Sequence, residues 1–174
     1  MKHKKFIPLL FVVCTFATAQ EVYDIPVGSS LEYSHSAYGG MWDYFSGDHL
    51  ISSKYTIQAS FNSSDQSGLI VILTPDSEEI SKLPIPVKIK PIPAKKISIN
   101  NSGEIAKKLA TQSELDKVMV LQEDPYVIVG EGQFLITSFS TGIECDYREY
   151  NATIIAVIQT LDVAKGVGKK VNIC

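Results

Sequence analysis

The stretch Lys54-Tyr-Thr-Ile-Gln-Ala-Ser-Phe61 alternates apolar and polar side chains without a break. Alternation with a period of two is typical of a β-strand that buries one face. The face predicted to be buried consists of Tyr55, Ile57, Ala59 and Phe61. After a polar loop, Leu69–Leu73 is apolar at every position, as in a central strand. The two segments together predict a β-hairpin.

Further strands are predicted along the rest of the chain. Tyr126–Val129 and Gln133–Phe139 are apolar-rich and separated by Gly130 and Gly132, and Thr153–Leu161 has the strongest strand pattern after them. The pattern gives about seven to nine strands by strand and turn criteria. We therefore expect a mainly β fold, an antiparallel sandwich or a barrel-like sheet, with α+β as the alternative.

One short helix is predicted near residues 102–112. Asn101 stands where an N-cap is expected, and Glu104 follows three residues later as in a capping box. Ser113-Glu-Leu-Asp could add a turn of helix before Val118–Leu121 returns to a strand. By contrast, four prolines in residues 84–93 exclude a central strand there and favour an extended or edge segment.

Residues 1–19 have the three parts of a secretory signal peptide. A basic start precedes the apolar run Phe6–Phe16, and Ala17-Thr-Ala19 supplies small residues for cleavage. The apolar run is shorter than the ~20 residues that a spanning helix needs, so we expect no stable membrane anchor. Residues 20–174 are then predicted to form a single exported β-rich domain, periplasmic or secreted.

Export bears on the two cysteines that follow the signal peptide. Cys145 and Cys174 would meet an oxidising compartment, where a structural disulfide between them is expected. Asn62, Asn100 and Asn151 begin Asn-x-Ser/Thr motifs, which would matter only in a eukaryotic secretory route.

The charge balance excludes one class of partner. Residues 1–19 hold three of the 16 Lys and Arg residues and none of the 19 Asp and Glu residues, so the formal charge falls from −3 to −6 after cleavage. Arg148 is the only arginine. An acidic chain with one arginine is unsuited to the phosphate backbone, and we predict no nucleic-acid partner.

The segment Tyr33–Leu50 collects large aromatic residues, both histidines of residues 20–174 and several glycines. Large, rigid aromatic side chains anchor binding interfaces and stack on sugars. The predicted binding residues are Tyr38, Trp42, Tyr44, Phe45 and His49. The alternative interpretation is that Trp42 and Phe45 close one end of the core.

Catalytic and metal sites are weaker interpretations of the same segment. His35, Asp43, Asp48 and His49 offer metal-ligating groups, but their spacing matches no ligand motif. A hydrolase would use His49 with Asp43 or Asp48, yet no serine lies in a Gly-x-Ser-x-Gly elbow. We predict no catalytic residue, no metal and no cofactor.

A second polar cluster, Ser140–Tyr150, contains Glu144, Asp146, Arg148 and Glu149. Mixed charges at the end of a hairpin are usually a solvated rim, and that is the prediction here.

Three functional hypotheses follow from the sequence. The first is a small non-enzymatic binding protein whose partner is another protein, such as an envelope-acting enzyme that it inhibits or confers immunity against. The second is a carbohydrate or cell-wall binding module that uses residues 33–50. The third is the hydrolase based on His49. No motif selects among them.

Overall fold

The structure is a computed structural model, and it describes residues 30–61, 63–83, 96–120, 125–144 and 147–167, without the side chains of residues 143, 144, 147 and 162–167. The predicted signal peptide, the proline-rich residues 84–93 and the predicted Cys145–Cys174 disulfide lie outside the described residues.

The described residues form seven strands, three short helices and one 3-10 turn at Tyr38–Gly40. The strands are β1 (Glu32–Ala37), β2 (Trp42–Ser46), β3 (Asp48–Ala59), β4 (Leu69–Thr74), β5 (Ile97–Ile99), β6 (Tyr126–Glu144) and β7 (Tyr147–Val167). The helices are α1 (Ser77–Ser81), α2 (Ser102–Leu109) and α3 (Gln112–Met119). The prediction of a mainly β fold is confirmed. The strands form one mixed sheet, and the fold is β-rich α+β.

Five of the strands close into a ring. β3 pairs with β4, β4 with β5, β5 with β7, β7 with β6, and β6 again with β3. All of these pairs are antiparallel except one, since β5 and β7 run parallel over Ile97–Ile99 and Tyr150–Ala152. A parallel pair needs a crossover connection, and here α2, α3 and β6 make that crossover.

The strand order in the ring is that of a known Greek-key architecture. Strands β3, β4, β5, β7 and β6 follow one another around the ring, with helices between the third and fourth strands in the chain. This is the connectivity of the five-stranded OB-fold. Connectivity alone does not specify what a protein binds.

The hairpin of β1 and β2, here called the wing, extends the sheet outside the ring. Its inner strand β2 pairs with β6 over three residues, Trp42–Tyr44 opposite Gly142–Ser140. Among the described residues its outer strand β1 pairs only with β2, and five of its six residues are exposed. The wing is thus attached along one strand, while the ring strands are paired on both sides for part of their length.

The core lies inside the ring and is closed by α2 and α3. Tyr55, Phe134 and Ile136 of the ring are fully buried, and so is Ile105 of α2. Along β3, Tyr55 and Ile57 are fully buried and Ala59 is partly buried against the core, as the period-two pattern predicted. Lys54 on the other face is exposed, but Gln58 on that face is also buried. Phe61 is an exception, since it lies beyond the end of β3 and is 87% exposed.

Side-chain hydrogen bonds fix the helix ends and one strand edge. Thr111 and Glu114 form a capping box at the start of α3. Asn101 precedes α2 as predicted, but its side chain makes no capping hydrogen bond. Instead, its amide nitrogen donates to the Ile154 carbonyl at 2.8 Å, and its amide oxygen accepts from the Ile154 N–H at 3.1 Å. Asn101 therefore occupies the outer edge of β7.

Strand β7 is strongly irregular. Its pairing with β6 skips Leu161, Ile158 and Ile155, so three bulges follow one another at three-residue intervals. Each bulge adds local twist and bends the strand. The bending lets a strand of 21 residues follow β6 around the ring.

Several predicted boundaries are wrong. Val118–Leu121 was predicted to return to a strand, but α3 continues to Met119, with Val118 buried on the core. The single predicted helix is accompanied by α1 and α3. Gly130 and Gly132 lie within one continuous strand β6, where a Cβ at Gly132 would meet the Gln159 carbonyl oxygen at 2.6 Å.

None of the described helices is long and apolar enough to cross a membrane.

Candidate functional site

The wing has two faces, which the pairing register defines. Side chains directly opposite each other in a sheet lie on the same face. His35 and Tyr44 are one such pair, and with Trp42 they form the outer face. Ser36 and Asp43 are the next pair along and lie on the inner face. The segment 33–50 is thus mostly strand, and its aromatic residues are divided between two surfaces.

The inner face is anchored to the core by a row of four aromatic rings across four strands. Tyr33 meets Phe45 edge-on at 6.0 Å between ring centroids, Phe45 lies 5.6 Å from Phe139, and Phe139 stacks on Tyr150 at 6.0 Å. Tyr33 is 60% exposed, while the other three rings are buried. This row holds the wing against the end of the ring.

On the outer face, Trp42 rests on the backbone of β6. A Cβ added at Gly142 would overlap with the indole carbons Cδ2 and Cε2 of Trp42. Only glycine leaves room for the indole at this position. Beside it, the His35 and Tyr44 rings stack at 4.9 Å with an interplanar angle of 8°. Trp42 and Tyr44 keep part of their surface accessible, and His35 is exposed.

The tip of the wing is a tight turn with apolar side chains in solvent. Tyr38, Gly39 and Gly40 all have positive φ angles, of 52°, 70° and 86°. A positive φ is unfavourable for tyrosine. Tyr38 is 75% exposed and Met41 is 56% exposed. The turn therefore holds two large side chains away from the protein, in a backbone conformation that a bulky residue adopts at a cost.

The inner face also carries a polar row. The Ser36 hydroxyl donates to Asp43 at 2.6 Å, and Thr141 lies opposite Asp43 in the register. Next to it, Arg148 Nη1 donates to Thr141 Oγ1 at 2.8 Å. Arg148 is only 5% exposed. The prediction that Arg148 belongs to a solvated rim is therefore wrong, because its strand position turns it toward the core side of the sheet.

His49 lies in the ring, away from the accessible faces of the wing. It is 3% exposed, and both of its ring nitrogens are buried without a hydrogen-bond partner among the described residues. Burial lowers the pKa of His49, Glu79 partly opposes that change, and Lys82 adds slightly to it. Asp48 bonds to Ser30 through its backbone. Since neither Asp43 nor Asp48 orients His49, the geometry gives the hydrolase hypothesis no support.

The predicted binding residues are thus divided. Tyr38, Trp42 and Tyr44 are at least partly accessible on the wing, whereas Phe45 and His49 are buried. Sequence reasoning did not select Met41, which shares the tip with Tyr38. In a strand, residues 42 and 44 face away from residue 45. A strand over Trp42–Ser46 would therefore have separated the accessible rings of Trp42 and Tyr44 from the buried ring of Phe45.

Within the described residues, no group of three or more His, Cys, Asp or Glu side chains converges as a metal site would require. Comparisons with protein-family models, curated proteins and solved structures find no match for this chain.

Proposed function

We propose that this protein is a non-enzymatic binding protein and that the tip and outer face of the wing contact another protein. The observation that carries the proposal is the tip, where Tyr38 and Met41 are exposed on a turn with three positive φ angles. A narrow projection with apolar side chains suits a concave surface on a partner, such as the cleft of an enzyme.

The packing beneath the tip supports a binding role for the exposed side chains. Phe45 is buried beside Phe139, and Trp42 rests on Gly142, so the two strands below the tip are held by packing. A preorganised contact surface loses little conformational entropy on binding. Tyrosine and tryptophan are also the residues that most often dominate binding energy.

The compartment completes the proposal. The signal-like residues 1–19 support export, and the two later cysteines support a disulfide in the exported domain. An envelope-acting enzyme is the partner that this location and a projecting tip suit best. The protein would then inhibit that enzyme or protect against it.

Affinity capture with variants tests the proposal. The immobilised domain is exposed to an envelope extract of its own organism, and the captured protein is identified and its affinity measured. Tyr38→Ser and Met41→Ser should weaken capture of that protein at least tenfold. Phe61→Ser is the matched control, because Phe61 is equally apolar and exposed but lies beyond β3. Equal capture by all four proteins would contradict the proposal.

The position of Trp42 favours a second candidate, a glycan-binding surface. An indole that lies on a backbone glycine is held as a platform, and sugars stack on such platforms. Glu149 lies opposite Gly142 in the register and Asn151 opposite Ser140, and both side chains are partly accessible polar groups beside the indole. Because Trp42 is the only tryptophan, saturable quenching or enhancement of its fluorescence by cell-wall oligosaccharides would support this candidate over a protein partner.

A further inference from the structure

Arg148 is the one buried cation of the described side chains. It is 5% exposed, whereas Lys54, Lys82 and Lys108 in the ion pairs are all exposed by 46% or more. A buried charge is costly unless an opposite charge and hydrogen bonds compensate it. No carboxylate of the described residues forms an ion pair with Arg148, in contrast to those three lysines.

The hydrogen bonds of Arg148 are also incomplete. A guanidinium has five N–H donors, and the described residues supply one acceptor, Thr141 Oγ1. The Nε atom is buried and has no partner there. Because Nη1 donates to Thr141, the edge of the guanidinium group that remains without a partner includes Nε.

The geometry of that edge selects a ligand. Nε–H and one Nη–H point in parallel and match the two oxygens of a carboxylate, which is the geometry of bidentate arginine recognition. The Thr141 hydroxyl accepts from Nη1, so its own hydrogen remains available as a further donor. Thr141 is fully buried and lies opposite Asp43 in the register, which fixes its position.

We propose that Arg148 and Thr141 form a carboxylate-binding site at the junction of the wing with β6 and β7. The site lies on the inner face and is separate from the tip and the outer face that the proposed function uses. The carboxylate belongs either to a small free acid or to an Asp or Glu side chain of a partner; the chemistry at Arg148 is the same for both.

The test uses the only arginine of the chain as its own probe. Labelling with 15N-arginine gives one Nε–Hε signal, which belongs to Arg148. Sodium acetate is titrated into the full domain while sodium chloride keeps the ionic strength constant, so that general screening does not change. We expect a saturable downfield displacement of Hε, because a hydrogen bond to a carboxylate deshields it.

Two variants test whether the effect of acetate depends on Arg148. Acetate should raise the Tm of the wild type and of Lys54→Met, which removes an exposed cation, because a ligand that binds only the folded state stabilises it. Arg148→Lys keeps the charge but lacks the fork, and its Tm should not respond. If Arg148→Lys fails to fold, the wild-type Hε titration still decides.

A second titration distinguishes the two possible carboxylates, a small free acid and an Asp or Glu side chain of a partner. A peptide Ac-Gly-Glu-Gly-NH2 that displaces Hε at lower concentration than acetate assigns the site to a partner side chain, and its Gln counterpart should have no effect. A displacement of Hε by acetate but not by the peptide assigns the site to a small free acid. Absence of any saturable displacement of Hε, or an equal displacement when sodium chloride alone is titrated, would overturn the proposal.

Discussion

The ring and the wing differ in how much of their β-sheet surface is buried. The ring closes on itself, so that Tyr55, Phe134 and Ile136 are enclosed on all sides. The wing is joined to β6 by three residue pairs and presents both faces of β1 to solvent. The difference indicates a division of labour, in which the ring supplies stability and the wing supplies contact surface.

The largest expected effect is the loss of a ring side chain. Phe134 is fully buried and meets Tyr55 edge-on at 5.9 Å. Phe134→Ala should lower the free energy of unfolding by about 3–5 kcal/mol, because it leaves a cavity in the core. Tyr33→Ala, in the exposed row of the wing, should cost less than about 1 kcal/mol. Urea unfolding measures both, and similar losses would mean that the wing is part of the folding core.

The next effect concerns the contact between wing and ring. Gly142→Ala should displace the Trp42 indole and destabilise the protein by about 1–3 kcal/mol, since overpacking forces side chains away from their preferred positions. Trp42 emission should shift to the red as the ring enters water.

A double-mutant cycle provides the control for Gly142. In a Trp42→Ala background, Gly142→Ala should cost much less, because the atoms that it displaces are gone. An undiminished loss in that background would show that Gly142 is required for another reason and that Trp42 does not hold the wing in place.

A smaller effect is expected at the outer edge of β7. Asn101→Ala removes both hydrogen bonds to the Ile154 backbone. Leaving these groups without partners should cost about 1–2 kcal/mol. Hydrogen exchange at Ile154 should accelerate, while that of Tyr44 in the wing stays unchanged. Equal acceleration at both sites would imply that the two regions open together.

The smallest effect is a pH dependence of stability that arises from His49 in the ring. Burial lowers the pKa of His49 in the folded state below its unfolded value of ~6.5. The folded state therefore binds fewer protons, and stability is complete above pH ~6.5 and decreases as the pH falls through that value toward the folded pKa. His49→Gln should flatten this slope between pH 7.5 and about 5 in urea unfolding.

Sequence patterning predicted the ring better than the wing. The alternation in Lys54–Ala59 is the direct result of one face being buried, so the face assignment followed from the residues alone. Phe61 departs from the pattern because the strand ends at Ala59, and alternation carries no information beyond a strand end. Val118 was assigned to a strand because Val118–Leu121 is a short apolar run, and such a run does not distinguish a strand from a buried helix segment. The capping box at Thr111 starts α3, which continues to Met119.

The wing and the buried arginine depend on contacts that are distant in sequence. The sequence left open whether residues 33–50 form a loop or part of the sheet, because their mixture of aromatic, glycine and polar residues gave no strand assignment; β1 and β2 form there. Arg148 read as a surface charge because its neighbours in sequence are acidic. Its burial depends on the opposing strand positions of Thr141 and Asp43, which no local pattern encodes.

The attachment of β2 to β6 has a consequence for the order of events during synthesis. Tyr44 pairs with Ser140, which the ribosome reaches about 96 residues later. At roughly 5–20 residues per second, the wing strands wait about 5–20 seconds for their partner. During that interval the aromatic side chains of the wing lack their neighbours from β6. A chaperone or a translocation channel that keeps the chain extended would protect this segment, and the wing reaches its final place only after β6 has been made.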